Sequence, residues 1–207
     1  DSHGKKKTFQ GLQSSWVDNL KALKLEDAKS IVGSGDKLNK NKLEEIALIF
    51  LASVLVRNHD VVGMFFDNLM YTPDNSFVHV DAGGSFHYRA QGDIKSGNRT
   101  DDEDHPYPRN PEEVHSMLFS GKGASKLFLP LLQLHPEVLL SASKVFEKKL
   151  SDEKIKEVVL NTWKENSDNP EDISINDEPI DDFIDRIISR RNIILEKIPE
   201  IVTKLRH

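Results

Sequence analysis

Three oxygen-bearing side chains sit at the ends of apolar stretches. Asp60 follows the most hydrophobic segment of the chain, Asn68 precedes the run Leu69-Met70-Tyr71, and Asp81 follows the run Phe77-Val78-His79-Val80. Between the two runs lies Thr72-Pro73-Asp74-Asn75-Ser76, whose Pro, Asp and Asn favour a turn, so the spacing predicts a short hairpin. A hairpin brings its ends together, which makes Asn68 and Asp81 neighbours, and the loop after Asp60 returns that carboxylate to the same end. A carboxylate and an amide oxygen that converge suit a hard cation such as Mg²⁺, which takes oxygen ligands and keeps waters for substrate phosphates. A second carboxylate nearby can accept a proton from an attacking hydroxyl or orient it. Gly83 and Gly84 allow a sharp turn or a close backbone approach just after Asp81. Taken singly, each of the three polar residues reads first as a turn or helix cap. Their combination points to a metal and a phosphate.

Other polar residues have two readings each. Arg89 pairs with Asp81 or Asp60, contacts a phosphate bidentately, or makes a surface salt bridge. Arg57 reaches a phosphate or sits at an exposed helix end. His59 reads as a structural hydrogen-bonder. His79, alternating with Val78 and Val80, faces solvent. The run Asp101-Asp102-Glu103-Asp104 before His105 reads as a solvated loop rather than a Ca²⁺ site. Ser120-Gly121-Lys122-Gly123-Ala124-Ser125-Lys126 lacks the spacing of a phosphate-binding loop and no strand precedes it.

The elements that must position these residues are mostly helical. Residues 8–17 alternate imperfectly and read as a strand. Residues 20–32 mix helix and turn, and Gly33-Ser34-Gly35-Asp36 ends them. Residues 43–56 are apolar on almost every side, the pattern of a helix at the centre of a domain, with Asn41 and Glu44 as its capping pair. Residues 92–109 form a polar loop. Asn110-Pro111-Glu112-Glu113 reads as the next helix start. Pro130 breaks the apolar stretch 127–134, Pro136 opens a helix to about Leu150, and Ser151 caps another through Trp163. A last helix begins near Pro179 and is kinked or restarted at Pro199. The chain is expected to be mainly α with a small β hairpin.

Composition narrows the function. The 207 residues carry a net charge of −6, which speaks against general nucleic-acid binding, since phosphate contacts need a concentrated basic face. With no cysteine, disulfides, thiolate catalysis and Cys-based zinc sites are excluded. No apolar run has the length of a transmembrane segment. The opening Asp1-Ser2-His3-Gly4 reads as the start of a fragment or an excised domain.

The string His59-Asp60, Asp67-Asn68-Leu69-Met70 and Val80-Asp81-Ala82-Gly83 resembles the catalytic loop and metal motif of protein-kinase-like phosphotransferases, His-Arg-Asp, Asn, Asp-Phe-Gly. Asn68 and Asp81 stand thirteen residues apart, as in typical protein kinases. With Gly84-Ser85-Phe86 and Tyr88-Arg89-Ala90-Gln91-Gly92, the chain is more similar still to an atypical kinase-like group. That group occurs in bacterial effectors and phage head-protein extensions and is related to phosphatidylinositol-kinase-like (HipA-like) folds. The resemblance covers residues 9–120, most closely 59–92. It implies a large lobe over residues 21–207, with residues 1–20 as the last small-lobe strand and hinge. It implies ATP and Mg²⁺ as cofactors, Asp60 as the catalytic carboxylate, Asn68 and Asp81 as metal ligands, and Trp16, Asp18 and Arg89 on the nucleotide. The phosphate acceptor is a protein, a lipid or a small molecule, and a partner protein or a separate small lobe completes the site. The setting it implies is the cytoplasm, or a host cell that receives an effector.

Three departures from the pattern accompany the likeness. Asp60 and Asn68 are eight residues apart, where the kinase loop has five. Ala82 replaces the Phe of Asp-Phe-Gly. No Gly-rich loop or strand lysine is found in the sequence. These departures fit an alternative, a catalytically inactive pseudokinase-type binding or scaffold module. The isoleucine series of the last helix reads as core or as a partner-helix surface, and a third reading is an accessory domain whose last helix, near Ile180 to Ile198, exposes an apolar patch to a partner protein.

Overall fold

The fold is known from a computed structural model, which describes residues 19–63, 68–80, 85–87, 95, 105–166, 174–175 and 178–207. The expected strand over residues 8–17 and the hinge residue Asp18 lie outside these. The described chain is mainly helical with a small three-stranded antiparallel sheet.

Helix α2 (Lys40–Leu55) forms where the sequence is apolar all round, and it is the centre of the domain. Leu43, Ile46, Ala47, Phe50, Leu51 and Val54 are fully buried. Around it pack α1 (Leu25–Val32), α3 (Glu113–Phe119), α4 (Ser125–Leu132), α5 (Val138–Lys149) and α7 (Ile180–Leu205), while α6 (Asp152–Asn166) lies against α7. The start of α2 corrects the expected cap. Asn39, not Asn41, accepts the Lys42 N–H at 3.2 Å, with Leu38 before it packed on the core. Gly33 ends α1 at φ 74, where a Cβ would meet the Lys37 carbonyl oxygen at 2.4 Å.

The hairpin forms as expected, β2 (Leu69–Tyr71) pairing β3 (Phe77–His79) with Leu69 opposite His79 and Tyr71 opposite Phe77. The two-residue β1 (Lys21–Ala22), in a stretch read as helix and turn, adds a third strand to β2. A second, two-stranded ladder joins β4 (Ser174–Ile175) to β5 (Glu178–Pro179) just before α7.

Both internal prolines are carried within helices rather than breaking them. Pro130 lies inside α4 and Pro199 inside α7. The carbonyl that Pro130 leaves without its helical donor belongs to exposed Lys126, where water can serve it. Pro199 is itself exposed, and the buried residues Ile194, Ile198, Ile201 and Val202 stay on one face through it. The isoleucine series of α7 is therefore core, the first of its two expected readings, and the apolar patch required by the partner-binding reading is not found on this helix. Among the described residues the exposed large apolar side chains are Leu134, Leu140 and Val158. Ser151 does cap α6, accepting the Lys154 N–H at 3.3 Å.

The largest correction concerns Glu113. It does not cap α3. Its carboxylate is buried and pairs with Arg190 of α7, 3.0 Å from Nη2. Arg190 is fully buried. Its Nη2 also donates to the Val54 carbonyl at 2.8 Å and its Nε to the Leu55 carbonyl at 3.2 Å, and Nη1 donates to the Pro108 carbonyl. The guanidinium lies over the Tyr107 ring, 4.6 Å from its centroid. Residues 105–108, expected within a polar loop, are buried here. Burial opposes ionisation of Glu113, but the Arg190 and Arg57 guanidinium groups outweigh it and hold the carboxyl below its ordinary value of 4.5.

Two outcomes follow. Arg190→Met leaves a buried carboxylate without its main partner and costs about 3–5 kcal/mol, read from urea unfolding. Arg190→Lys does not restore it, because an ammonium cannot serve four oxygens in a planar fork. Lys29→Ala, which removes an exposed pair with Glu26, stays within about 0.5 kcal/mol. The second outcome is a pH dependence. A carboxyl depressed in the folded state adds stability that is present above 4.5 and lost as the pH falls through the folded value. Glu113→Gln therefore flattens the acid limb of the stability–pH curve, and an unchanged limb would assign acid unfolding to other groups.

Candidate functional site

The site begins where α2 ends. Arg57 adopts φ 57, the left-handed position that glycine normally fills after a helix. Its N–H bonds the Val54 carbonyl at 3.1 Å, and the Asn58 N–H bonds the Ser53 carbonyl at 2.8 Å. These two bonds make a Schellman motif with arginine in the glycine place. A Cβ there costs of order 1–2 kcal/mol. The arginine side chain offsets that cost, since Nε lies 2.7 Å from Glu113 Oε1 and Nη1 donates to the Pro106 carbonyl. Arg57 is thus a half-buried structural cation, not an exposed helix end.

The motif turns the chain so that Asn58 is buried and Asp60 exposed. Asn58 Oδ1 accepts the Asp60 N–H at 3.0 Å, and its Nδ2 lies 3.3 Å from His79 Nε2. With Oδ1 committed to an N–H, the amide presents its NH₂ to His79, so that ring nitrogen acts as an acceptor. Val61 and Val62 then drop into the core, and Gly63 turns back at φ 72 with its N–H on the Asp60 carbonyl at 3.0 Å. The same carbonyl accepts Asn68 Nδ2 at 2.7 Å. The Asn68 carbonyl in turn accepts the Val80 N–H at 2.8 Å. The structure therefore brings Asp60 and Asn68 together across eight residues, with the end of β3 bonded to Asn68.

Asp81, the residue after Val80, lies outside the described residues, as do Gly83, Gly84, Arg89, Trp16 and Asp18. Asp60 and Asn68 are suitable donors for a hard cation. Asp60 offers an exposed carboxylate, and the anchored Nδ2 of Asn68 fixes the direction of an amide whose Oδ1 is an oxygen donor. His79 is exposed, as its alternation predicts. His59 is half exposed, 3.9 Å from Glu113 Oε1. Partial burial, with Arg57, Lys95 and Arg190 nearby, keeps its imidazole below the usual range against the pull of Glu113.

Sequence reasoning missed a second polar cluster. Phe86 returns to the end of α2, its N–H on the Val56 carbonyl, and Lys95 Nζ ties the Arg57 and Phe86 carbonyls at 3.1 and 2.7 Å. Beside Phe86, His87 is buried against His105 and Glu178. His87 Nε2 lies 3.3 Å and His105 Nε2 4.0 Å from Glu178 Oε2. Arg186 Nε donates to Glu178 Oε1 at 2.8 Å. Burial opposes the Glu178 charge, yet His87 and Arg186 together hold its carboxyl below the ordinary value. Burial, aided by the Arg186 charge, lowers His105. The three residues come from three distant parts of the chain, and His105 beside an acidic run looked solvated, so no spacing marks the cluster.

No family model, no curated protein and no solved structure matches the chain.

Proposed function

We propose that the chain is an atypical kinase-like phosphotransferase that uses ATP and Mg²⁺, with the described helical body as its large lobe. One observation carries the reading: the 2.7 Å bond from Asn68 Nδ2 to the Asp60 carbonyl, with Val80 bonded to Asn68 beside it. The motif order seen in the sequence is accompanied by spatial closure of its first two members.

In this reading Asn68 and Asp81 hold the metal, and Asp60 orients the acceptor hydroxyl or takes its proton. The bound ion supplies charge neutralisation on the phosphate oxygens, the main chemical need of phosphoryl transfer. The protein's part is positioning. Asn58 holds the Asp60 backbone, Asn68 clamps its carbonyl, and the Val61-Val62 pair anchors the loop in the core, so the carboxylate starts from a fixed main chain. Trp16 and Asp18 would lie on the nucleotide base and Arg89 on a phosphate.

The eight-residue spacing from Asp60 to Asn68 favours a second reading, a pseudokinase-type module that binds nucleotide without transferring phosphate. Calorimetry with Mg²⁺-ATP separates binding from its absence. The wild-type chain gives saturable heat and Asp81→Ala gives at least tenfold weaker binding, while equal titrations in the two remove both readings. Single-turnover release of the γ-phosphate then separates the two. Asp60→Asn slows release by roughly 10²–10⁴-fold with nucleotide affinity kept if the chain is an enzyme. Binding without any release in the wild type assigns the second reading.

A further inference from the structure

We propose that His87, His105 and Glu178 form a buried transition-metal site that takes Zn²⁺ and pins three separate segments of the chain together. The claim is independent of the phosphotransferase reading and concerns residues outside that site.

Three observations support it. First, three ligand atoms, one from each residue, lie within 4.8 Å of one another, and all three side chains are at least nine-tenths buried. Second, His87 Nε2, His105 Nε2 and Glu178 Oε2 are buried atoms that approach one another at 3.3 and 4.0 Å without a well-aligned hydrogen bond among the described residues. Buried polar atoms are paired as a rule, and a shared cation satisfies all three at once where His87 and Glu178 otherwise make only a 3.3 Å contact. Third, the spacing suits the ion. Zinc bonds of about 2.0–2.2 Å to nitrogen and oxygen place tetrahedral donors about 3.4 Å apart, and His87 Nε2 stands 3.3 Å from Glu178 Oε2. His105 Nε2, at 4.0 Å, must close by about half an ångström.

The donor chemistry selects the metal. Two imidazoles and one carboxylate suit Zn²⁺, whereas Mg²⁺ and Ca²⁺ prefer all-oxygen sets. Arg186 supplies an outer partner, holding Glu178 Oε1 at 2.8 Å and leaving Oε2 directed at the two rings. Two neutral imidazoles and one carboxylate leave the ion with net positive charge, which suits an anionic fourth ligand, chloride or hydroxide. The His87 ring packs against His105, Tyr107 and Phe183 at centroid distances of 5.4, 5.9 and 5.6 Å, and with both rings buried the role is structural.

One contact must change on loading. His105 Nδ1 accepts the Tyr107 N–H at 2.9 Å, which places the ring proton on Nε2. Metal at Nε2 moves that proton to Nδ1, and the Tyr107 peptide must then turn its N–H away. One backbone hydrogen bond is small beside three metal–ligand bonds. The exchange gives the site a signature that an unspecific surface metal lacks.

The test uses the intact chain with Zn²⁺ or Co²⁺ alone. The expected result is one tightly held metal per chain after dialysis, a higher unfolding temperature, and a Co²⁺ visible spectrum of four-coordinate type. The Tyr107 amide resonance shifts with the same stoichiometry, and millimolar Mg²⁺ does not compete. His87→Gln and Glu178→Gln lower the retained metal at least tenfold while His135→Gln, on the exposed surface pair with Glu137, keeps it. Far-UV circular dichroism confirms that the variants fold. If they do not, the Tyr107 shift and the cobalt spectrum of the unaltered chain decide. Failure to retain metal, a six-coordinate cobalt spectrum, an unmoved Tyr107 amide, or full retention in folded Glu178→Gln overturns the proposal. Because Asp60, Asn68 and Asp81 are untouched, a negative result leaves the phosphotransferase reading standing, and the converse holds.

Discussion

The Arg190 guanidinium is the interaction on which the rest of this structure depends. A fully buried cation is costly, and its desolvation is offset only when every donor finds an oxygen in good geometry. Here the oxygens come from three places, the last carbonyls of α2, the Pro108 carbonyl and the Glu113 carboxylate, while the Tyr107 ring covers the face of the guanidinium. The α2 carbonyls are the orphan acceptors of a helix C-terminus, where positive charge is favoured. One side chain of α7 thus satisfies the end of the central helix and fixes α3 and the 105–108 segment against it. Such a network adds less net stability than an apolar core of equal volume. It does impose geometry, because the fork accepts only one arrangement of its partners.

That geometry is transmitted to the loop carrying Asp60. Glu113 uses one oxygen for Arg190 and the other for Arg57, and Arg57 is held in the left-handed conformation that turns the chain out of α2. A glycine there would make the turn at lower conformational strain, but it would leave Glu113 without its second cation. The arginine therefore couples a backbone turn to a buried charge pair. The loop beyond it inherits a fixed origin through Asn58, whose side chain bridges the Asp60 N–H and His79 of the hairpin.

How much of this could be read from sequence depends on the range of the interaction. The central helix, the hairpin and the Ser151 cap were legible because each is specified by neighbouring residues: apolar patterning, turn chemistry, one hydroxyl. The proximity of Asp60 and Asn68 was legible too, since a hairpin and a short loop fix it topologically. Pro130, and the restart expected at Pro199, misled because a proline inside a well-packed helix loses one hydrogen bond, not the helix. Glu113 misled because the same residue type serves a helix start and a buried ion pair, and its partner lies 77 residues away. Strand β1 is too short for alternation to show, and the His87, His105 and Glu178 group has no local signature at all.

The two polar clusters also share a backbone. Phe86 bonds the Val56 carbonyl at the end of α2, and Lys95 joins the Arg57 and Phe86 carbonyls. The turn that presents Asp60 and the segment that presents His87 are therefore parts of one hydrogen-bonded unit, packed through Phe86 on Tyr107 and Phe183 at ring distances of 5.3 and 5.5 Å. Loops carry function when a rigid scaffold positions them. Here the scaffold is not a single helix or sheet but the seam between α2, α7 and the 105–108 segment, closed on one side by Arg190 and on the other by Arg186 with Glu178. Both arginines project from α7 four residues apart, on one helical face. The face that the sequence shows as a row of isoleucines is thus interrupted by two cations, and those interruptions are what fix the Asp60 loop to the body of the domain.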